Sequence, residues 1–583
     1  MRVLCVLHYP GYLRYYDSVI HELADRGHDV VVAFSNEVKQ QEGIEGLWHP
    51  SGRVVKAERV PKRRDVWEAV GALVRDLADY TRYLHPRYAE AEHLRRRHER
   101  FVPWGFGWLT RLPTLPPRVV RATHRFLAWL EHAIPSSPRL ERFVADARPD
   151  VLLISPLVAD FARQTDLLKS AQALGVPTVL GVASWDHLST KGLIKIRPDR
   201  TMVWNEIQRG EAEEYHHVPR SEVSVVGAHP WDRWFDRRPT LDRAAFAAKV
   251  GLPPEKPFVL FLGSTESISD TEDEQRFVRR WIAALRASSD PAVRELGALI
   301  RPHPYNPGTW ADADLSDLGI VTLWPRAGAN PVNEDDRADY FDSMFHSAAT
   351  VGINTSAMIE SAIVGRPVLT LRLPEFAATQ GGTVHFHYLL PDQGGFLRVA
   401  HSLEAHIEQL AEVLADPEMV RDELLGFVES FVRPHGLDRR ATPLAVDVVE
   451  ETAALEVSAR TADGRPVRRA ILWAVGSAMR GAPAKRARRT YRTVSRRLRK
   501  PRRRLRRRGR RSVRRLRRAA LLLPARLAAL GRPEPREDRP GATGAGGANR
   551  AGVANGAGAA KPLDHTRAEH RASGTGDRSH GRP

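Results

Sequence analysis

Cysteine is almost absent from this sequence of 583 residues, in which Cys5 is the only one. A single thiol cannot close an intramolecular disulfide, and Cys5 lies within an apolar run, so a disulfide-stapled secreted domain and a thiolate metal site are both excluded. Long apolar runs are absent too: the first ends at His8 after about six residues, whereas a membrane span needs about 18 or more. We therefore predict a cytoplasmic protein that is at most peripheral on the inner face of a membrane.

Acidic residues are missing from the stretch 465–526, which contains 26 Lys or Arg. The formal net charge of +19 arises from this end of the chain, because residues 1–464 carry more acidic than basic side chains. Residues 531–583 are rich in Gly, Ala, Arg and Pro and contain few large apolar side chains, which predicts disorder. We predict an Arg-rich basic tail over 465–530, in which a helix would be basic on one side.

The basic tail indicates a polyanionic partner. Residues 484–530 mix Arg with Leu and Val, a composition that favours attachment to an anionic membrane surface. Nucleic acid attracts the same charge, but the tail lacks a recognition module and the rest of the chain is acidic, so we do not expect a nucleic-acid partner. A solvated tail without any partner is the third interpretation.

Apolar runs alternate with helical patterns along two stretches of the chain. The first stretch begins with a strand over Arg2–Leu7, a tight turn, a helix over Leu13–Arg26 and a strand over His28–Phe34, which predict a β-α-β unit. The pattern predicts an α/β fold with two tandem, doubly wound, Rossmann-like domains. We place their boundaries at 1–236, with a helical insertion at about 65–147, and at 237–455.

The most specific local pattern is a strand, a small polar turn, a helix and a strand over residues 351–368. Asn354, Thr355 and Ser356 lie where the helix begins, so backbone N–H groups, hydroxyls and the positive end of the helix converge, as a donor phosphate requires. Glu360 follows one turn later and could accept hydrogen bonds from a donor ribose. The alternative is a plain helix cap with an exposed Glu.

Two more loops follow predicted strands of the same domain. Arg301 and His303 come after one strand; Arg can fork onto phosphate oxygens, and His can donate to them or act as an acid. Ser264 and Thr265 come after another strand and could complete a hydroxyl-lined phosphate pocket. Because the carboxyl ends of parallel strands meet at one edge of a sheet, we predict that these residues bind the phosphates together. A surface His without a ligand is the alternative, and the loop 381–385 is a weaker candidate.

Asp186, His187 and Lys191 follow a predicted strand of the first domain. Asp beside His offers a general base whose imidazolium a carboxylate could stabilise, and Lys191 adds a cation for a phosphate or leaving group. A polar interdomain loop with Trp185 packed beneath it is the alternative. Neither a Walker-type Gly-Lys-Ser/Thr motif nor G-x-G-x-x-G occurs. We predict no metal and no cofactor, with a nucleotide-activated donor as substrate.

These features resemble the GT-B glycosyltransferase superfamily, whose two Rossmann-like domains hold a nucleotide diphosphate in the second domain and face the acceptor with the first. The resemblance covers about residues 1–455, and the segment 351–368 looks like the donor-binding strand, turn and helix. Within the superfamily, the segments 301–304, 185–192 and 227–232 are similar in order to motifs of the CDP-glycerol glycerophosphotransferases that build teichoic acids.

Two departures from these families leave the catalytic base open. The CDP-glycerol enzymes carry His-Gly-Thr-Pro after the Trp, where this chain has Asp186 and His187. Many GT-B enzymes place a catalytic His in the first turn, where this chain has Tyr12. The first candidate is therefore His187 and the second is His8, with Asp186 as the group that orients or replaces them.

The resemblance implies transfer of a sugar from a nucleotide-sugar donor to a hydroxyl or lipid-linked acceptor, in the synthesis of surface polysaccharide or a cell-envelope polymer. A base would remove the hydroxyl proton, while Arg301, His303 and residues 354–356 neutralise the charge on the leaving phosphate without a metal. The alternatives are a CDP-glycerol-type glycerophosphotransferase, attacked at phosphorus, a sugar-nucleotide epimerase, and a nucleic-acid-binding protein that uses the basic tail.

Overall fold

The computed structural model divides the chain into two compact units, Met1–Thr493 and Val494–Pro583. The second unit lies outside the described residues, as do nearly all of the predicted basic tail and the whole of the predicted disordered end. The described residues are 1–36, 44–103, 105–158, 163–265, 268, 271–304, 310, 312–326, 328, 329, 331, 333–461, 466 and 470–472.

A seven-stranded parallel sheet forms the centre of the first domain. Its strands are β1 (Arg2–Leu7), β2 (Asp29–Phe34), β3 (Val54–Lys56), β4 (Val151–Ser155), β5 (Thr178–Gly181), β6 (Arg200–Val203) and β7 (Val223–Val225). They lie in the order β3-β2-β1-β4-β5-β6-β7, and all pairs are parallel. Because β2 and β4 flank β1, the winding direction reverses there, and a reversal of this kind opens a crevice at the carboxyl ends of the strands.

Helices cover both faces of this sheet, which is why β1 and β4 are apolar along most of their length and buried. The helices of this part of the chain are α1 (Leu13–Asp25), α2 (Val66–Arg82), α3 (Glu92–His98), α4 (Pro117–Ala133), α5 (Pro138–Ala147), α6 (Arg163–Ala173), α7 (His187–Thr190), α8 (Glu206–His216) and α9 (Asp232–Asp236). In α1 the residues Val19, Ile20 and Leu23 recur at helical spacing and are fully buried against the sheet.

The second domain has a six-stranded parallel sheet in the order β10-β9-β8-β11-β12-β13. Its strands are β8 (Phe258–Leu262), β9 (Gly297–Arg301), β10 (Val321–Leu323), β11 (Ala349–Gly352), β12 (Val368–Leu371) and β13 (Arg398–Ala400). The helices after α9 are α10 (Arg243–Val250), α11 (Thr271–Arg286), α12 (Pro291–Arg294), α13 (Glu334–Phe345), α14 (Ala357–Ile363), α15 (Leu403–Ala415), α16 (Arg421–Phe427) and α17 (Ala441–Ala453). The winding reverses at β8, as it does at β1.

The helical insertion is joined to the first domain by a buried ion network. The Arg75 guanidinium of α2 donates to Glu131 of α4 and to Asp166 of α6, with N–O distances of 2.6 and 2.9 Å. Lys169 lies 3.3 Å from Glu131, and Arg63 lies 2.9 Å from Asp166. Because every charge has an opposite partner, the network holds α2 and α4 in one orientation on α6 without leaving a bare buried ion.

The last described helix returns to the first domain. The side chains of Ala445, Val446 and Val449 on α17 are buried in the same core as β1 and α1, although the predicted boundaries assign this segment to the second domain. The carboxylate of Asp232 accepts the backbone N–H groups of Ala441 and Thr442 at 3.0 and 2.7 Å, where the helix begins. A buried carboxylate at the N-terminal end of a helix interacts favourably with the helix dipole. Asp232 therefore stabilises the start of α17 and links this helix to the segment between the domains.

Two tandem, doubly wound parallel sheets with a helical insertion in the first confirm the predicted α/β fold class, a GT-B-like fold. None of the helices in the described ranges is long and apolar enough to cross a membrane.

Candidate active site

A cleft lies between the two domains, at the carboxyl ends of their central strands. It is lined by segments that follow β5, β8, β9 and β11, and by the beginning of α1. Its basic lining residues are Arg14, Arg233, Arg237, Arg301, Arg337 and His303. Glu360 is the only acidic side chain among the described residues that line it, so the cleft suits an anionic ligand.

Arg301 is the last residue of β9 and reaches the cleft from a buried position. The residue is 5% exposed, and neither Nη1 nor Nη2 has a hydrogen-bond acceptor among the described residues. The guanidinium lies 4.9 Å from the centre of the Tyr340 ring, and Nη1 lies 3.5 Å from Asp339 Oδ2. Burial lowers the pKa of Arg301 from its ordinary value. Apart from this long ion pair with Asp339, Nη1 and Nη2 make no hydrogen bond within the described residues, so the guanidinium is suited to two oxygens of a bound anion.

His303 lines the cleft two residues further on. Burial, followed by the nearby Arg14 cation, lowers the pKa of His303 to about 4. The imidazole is therefore neutral at pH 7 in the empty protein, so it can donate one hydrogen bond but carries no charge. A bound phosphate would favour the protonated form and raise this pKa.

The predicted phosphate turn divides into two parts. Thr355 and Ser356 line the cleft, and α14 begins directly after them. Asn354 does not line it: the Asn354 side chain is buried and donates to the Thr379 carbonyl at 2.7 Å. The amide is used to hold the loop that follows β12, so only the two hydroxyl residues face the cleft.

Glu360 is held in the cleft by groups from both domains. Its Oε1 accepts the indole N–H of Trp231 at 3.1 Å, and its Oε2 accepts the hydroxyl of Tyr340 at 2.6 Å. Burial raises the pKa of Glu360, and these two hydrogen bonds oppose that rise. Each oxygen keeps a second lone pair, so the carboxylate can still accept a hydrogen bond from a ligand.

Ser264 and Thr265 do not line the cleft, although Leu262 and Gly263 just before them do. Ser264 is fully buried, and its backbone N–H donates to Glu274 Oε1 at 2.7 Å. Burial raises the pKa of Glu274 to about 8. In this structure Ser264 therefore packs against α11 rather than facing the phosphate turn.

None of the three predicted catalytic residues lines the cleft, although Ser184 and Trp185 of the same loop do. Asp186 Oδ1 accepts the Ser184 hydroxyl at 2.6 Å, and Lys191 Nζ lies 3.5 Å from Asp186 Oδ2. Despite burial, Lys191 and His187 hold the pKa of Asp186 well below its usual range. The loop therefore presents a firmly ionised carboxylate just behind the cleft wall.

His187 and His8 both lie near Tyr12, with ring centres 6.2 and 6.1 Å from the tyrosine ring. His187 is 5% exposed, and its Nδ1 has no hydrogen-bond partner among the described residues. Burial lowers the pKa of His187 to about 4. A neutral imidazole can accept a proton, although this low value makes His187 a weak base in the closed, empty cleft.

The loop 381–385 reaches the same place from the second domain. The His385 ring packs edge-on against Trp185, with ring centres 4.7 Å apart. Burial lowers the pKa of His385 to about 4, and the Asp186 carboxylate opposes that shift. An imidazole from each domain therefore adjoins the Asp186 loop.

Sequence reasoning missed Arg14, Arg233 and Arg337, which reach the cleft from α1, α9 and α13. Arg233 and Arg337 share the Asp17 carboxylate of α1, at 2.5 and 3.2 Å. Asp17 therefore joins the first domain to the second beside the cleft. No local motif marks these residues, because they meet only when the two domains are folded together.

Among the residues that the structure describes, no group of three or more His, Cys, Asp or Glu could hold a metal ion.

No family model matches the chain, and no curated protein matches it. Solved structures of similar fold include a UDP-GlcNAc 2-epimerase of Neisseria meningitidis bound to UDP-GlcNAc, which is 13% identical, with a TM-score of 0.44 over 77% of this chain and 100% of its own. A glycosyltransferase of Rickettsia africae is 9% identical, with a TM-score of 0.45 over 78% and 99%. WaaG, a glycosyltransferase involved in lipopolysaccharide biosynthesis, is 13% identical, with a TM-score of 0.39 over 77% and 99%. These likenesses concern the fold, and no function is inferred from them.

Proposed function

We propose that the protein is a glycosyltransferase that moves a sugar from a nucleotide-sugar donor to a hydroxyl acceptor, in the synthesis of surface polysaccharide or a cell-envelope polymer. The observation that carries the proposal is the Arg301 guanidinium, which is buried in the interdomain cleft with Nη1 and Nη2 lacking acceptors among the described residues. A diphosphate supplies the acceptors that this cation lacks.

Different residues of the cleft would bind the diphosphate and the ribose of the donor. Arg301 would fork onto the diphosphate, His303 would donate to it, and the hydroxyls of Thr355 and Ser356 would hold the remaining oxygens. As the bond to the sugar breaks, negative charge would gather on the leaving diphosphate, and these donors would stabilise it without a metal. Glu360 would accept a ribose hydroxyl with the lone pairs that Trp231 and Tyr340 leave open.

The acceptor would approach from the first domain, past Ser184 and Trp185. His187, with the ionised Asp186 beside it, is the proposed base, and His8 is the second candidate. Because His187 is buried behind the cleft wall, a bound acceptor has to reach it through a movement of the Asp186 loop. We further propose a cytoplasmic enzyme that meets a lipid-linked acceptor at the inner face of the membrane, with an anionic surface bound by residues 484–530.

Binding of the donor is tested by thermal unfolding of the full chain with UDP, GDP, dTDP and CDP and their sugar conjugates. A ligand that binds only the folded state raises its stability in proportion to ln(1 + [L]/Kd). We expect one nucleotide diphosphate to stabilise the protein, and the effect to persist in EDTA. Arg301→Met should weaken this stabilisation, and Arg366→Met should retain it, because Arg366 is a half-buried arginine of the same domain that does not line the cleft. If no nucleotide stabilises the protein, the proposal fails.

The products distinguish the reaction from its alternatives. A glycosyltransferase releases a nucleoside diphosphate and needs an acceptor. A glycerophosphotransferase attacked at phosphorus releases CMP, and an epimerase releases no nucleotide while changing the sugar. Incubation of the active donor with cell membranes, followed by chromatography of the nucleotides, separates the three outcomes. Release of CMP, or an altered donor without transfer, would replace the proposed reaction.

A further inference from the structure

The outward side of α4 carries large apolar side chains that are exposed to solvent. Val119 is 46% exposed and Phe126 is 52% exposed, and Trp108, which precedes the helix, is 56% exposed. Val119, Ala122 and Phe126 are spaced by three and four residues, so they form one stripe along the helix. Exposed apolar side chains that cluster in one place mark an interaction surface, whereas scattered ones do not.

A basic stripe runs beside the apolar one. Arg118, Arg121 and Arg125 are exposed at the same helical spacing, and Arg111 is exposed just before the helix. None of these four arginines makes an ion pair with a residue in the described ranges. The only acidic residue of α4 is Glu131, which is buried and bound to Arg75 and Lys169. We refer to Trp108, Arg111, Arg118, Val119, Arg121, Arg125 and Phe126 as the α4 surface.

The orientation of this surface is fixed by the inner side of the helix. Val120, Leu127 and Leu130 are buried in a common core with α2. The ion pair between Glu131 and Arg75 adds a directional contact on the same side. The apolar and basic stripes therefore cannot turn inward without breaking this core, and they remain exposed for lack of a partner within the described chain.

A cavity opens beside the α4 surface, which contributes Arg121 to its lining. It is lined by Arg87, Arg121, His124 and Tyr215, among others, and the Arg87 guanidinium lies 4.4 Å from the centre of the Tyr215 ring. The Nε2 atom of His124 is buried without a hydrogen-bond partner among the described residues. The exposed carboxylates of Glu213 and Glu214 also line the cavity, and Glu214 pairs with Arg87. Basic side chains therefore line the cavity together with the two carboxylates.

We propose that the α4 surface docks on an anionic lipid bilayer. Cations attract the headgroups, while Phe126, Val119 and Trp108 enter the interface between headgroups and acyl chains. A bilayer uses both stripes at once, whereas a nucleic-acid backbone would use the arginines and leave the aliphatic Val119 without a partner. The proposal does not depend on the reaction proposed above.

A fluorophore attached to α4 tests the proposal in the full chain. Ala122→Cys places a thiol within the apolar stripe, and the natural Cys5 is fully buried, so an environment-sensitive dye can be attached at one position. Ser289→Cys, at an exposed position of the second domain, is the matched control. Each labelled protein is mixed with phosphatidylcholine vesicles, with vesicles that also contain phosphatidylglycerol, and with duplex DNA.

We expect the dye at position 122 to brighten and shift to the blue only with the anionic vesicles, and the dye at 289 to remain unchanged. Arg118→Glu with Arg125→Glu should weaken the response at 122 by at least about tenfold in lipid concentration, because four units of charge change at the surface. Both side chains are exposed, so the thermal unfolding temperature should not change. The proposal is overturned if the dye at 122 stays silent while the protein sediments with vesicles, if both dyes respond alike, or if DNA gives the response instead.

Discussion

Replacing Arg301 with Met should leave the stability of the empty protein equal or raise it, and should weaken the binding of nucleotide. Met is an unbranched apolar side chain that fits the stem of the arginine and removes its charge. In the empty protein the change deletes a buried cation whose Nη atoms have no acceptor among the described residues. It does not strand Asp339, because Lys249 and Trp324 remain 2.9 and 2.7 Å from that carboxylate.

The two magnitudes follow from the contacts. An unsatisfied buried donor costs about 1–3 kcal/mol, and the ring contact with Tyr340 returns about 0.5–2 kcal/mol, so the empty Arg301→Met protein should be equal to the natural one or more stable by about 1 kcal/mol. In the complex, two charge-assisted hydrogen bonds to phosphate contribute about 1.5–3 kcal/mol each. Their loss should weaken nucleotide binding by at least about 100-fold.

Thermal unfolding with and without the stabilising nucleotide measures both effects in one experiment. Arg301→Lys is the informative companion, because Lys keeps the charge but loses the planar fork, so binding should fall between that of the natural protein and that of the Met variant. The reasoning is refuted if Arg301→Met destabilises the empty protein by more than about 2 kcal/mol and leaves the nucleotide-induced shift unchanged, since Arg301 would then be a structural residue.

Two further predictions concern stability away from the cleft. Burial lowers the pKa of His406 to about 4, against about 6.5 when unfolded, so unfolding free energy should fall by about 3 kcal/mol as the pH drops from about 6.5 to about 4. His406→Gln, which can still accept the Trp281 N–H, should flatten that part of the pH profile; an unaltered slope would contradict it. Asp232→Asn leaves the buried Arg433 without its ion partner at 3.1 Å and should cost about 3–5 kcal/mol in urea unfolding. Adding Arg433→Met to this variant should recover part of the lost unfolding free energy. If the effects of the two substitutions on that free energy are simply additive, Asp232 and Arg433 do not act as a pair.

The strands of the two sheets could be predicted well because they are buried on both faces. Such strands consist of continuous apolar runs; the predicted Arg2–Leu7 coincides with β1, and the predicted His28–Phe34 agrees with β2 to within one residue. The edge strands β3 and β13 were not predicted. Each has three residues and is partly exposed, so its pairing depends on the neighbouring strand rather than on its own composition.

The site was predictable where a motif and a strand end coincide. Arg301 and Ser356 lie in the cleft because each follows a central strand of the second sheet, and parallel strands bring their carboxyl ends to one edge. The direction of a side chain within a turn was not predictable. The Asn354 side chain points toward Thr379, although the next two residues, Thr355 and Ser356, line the cleft. Arg337 was beyond sequence reasoning, because its partner Asp17 is 320 residues away along the chain.

Several charged side chains in the cleft occupy positions that are unfavourable for the stability of the empty protein. Arg14 lies in the first turn of α1, which has no acidic residue there, so a cation stands at the positive end of the helix dipole. Arg301 is buried with unused donors, and burial raises the pKa of Glu360, so its charged form is disfavoured as well. In the buried network of Arg75, by contrast, each cation faces a carboxylate. Local conflicts of this kind, gathered at one place in an otherwise consistent fold, are expected at a binding site. A ligand that carries two or more negative charges would relieve the conflicts at Arg14 and Arg301 together, and a neutral ligand would relieve neither.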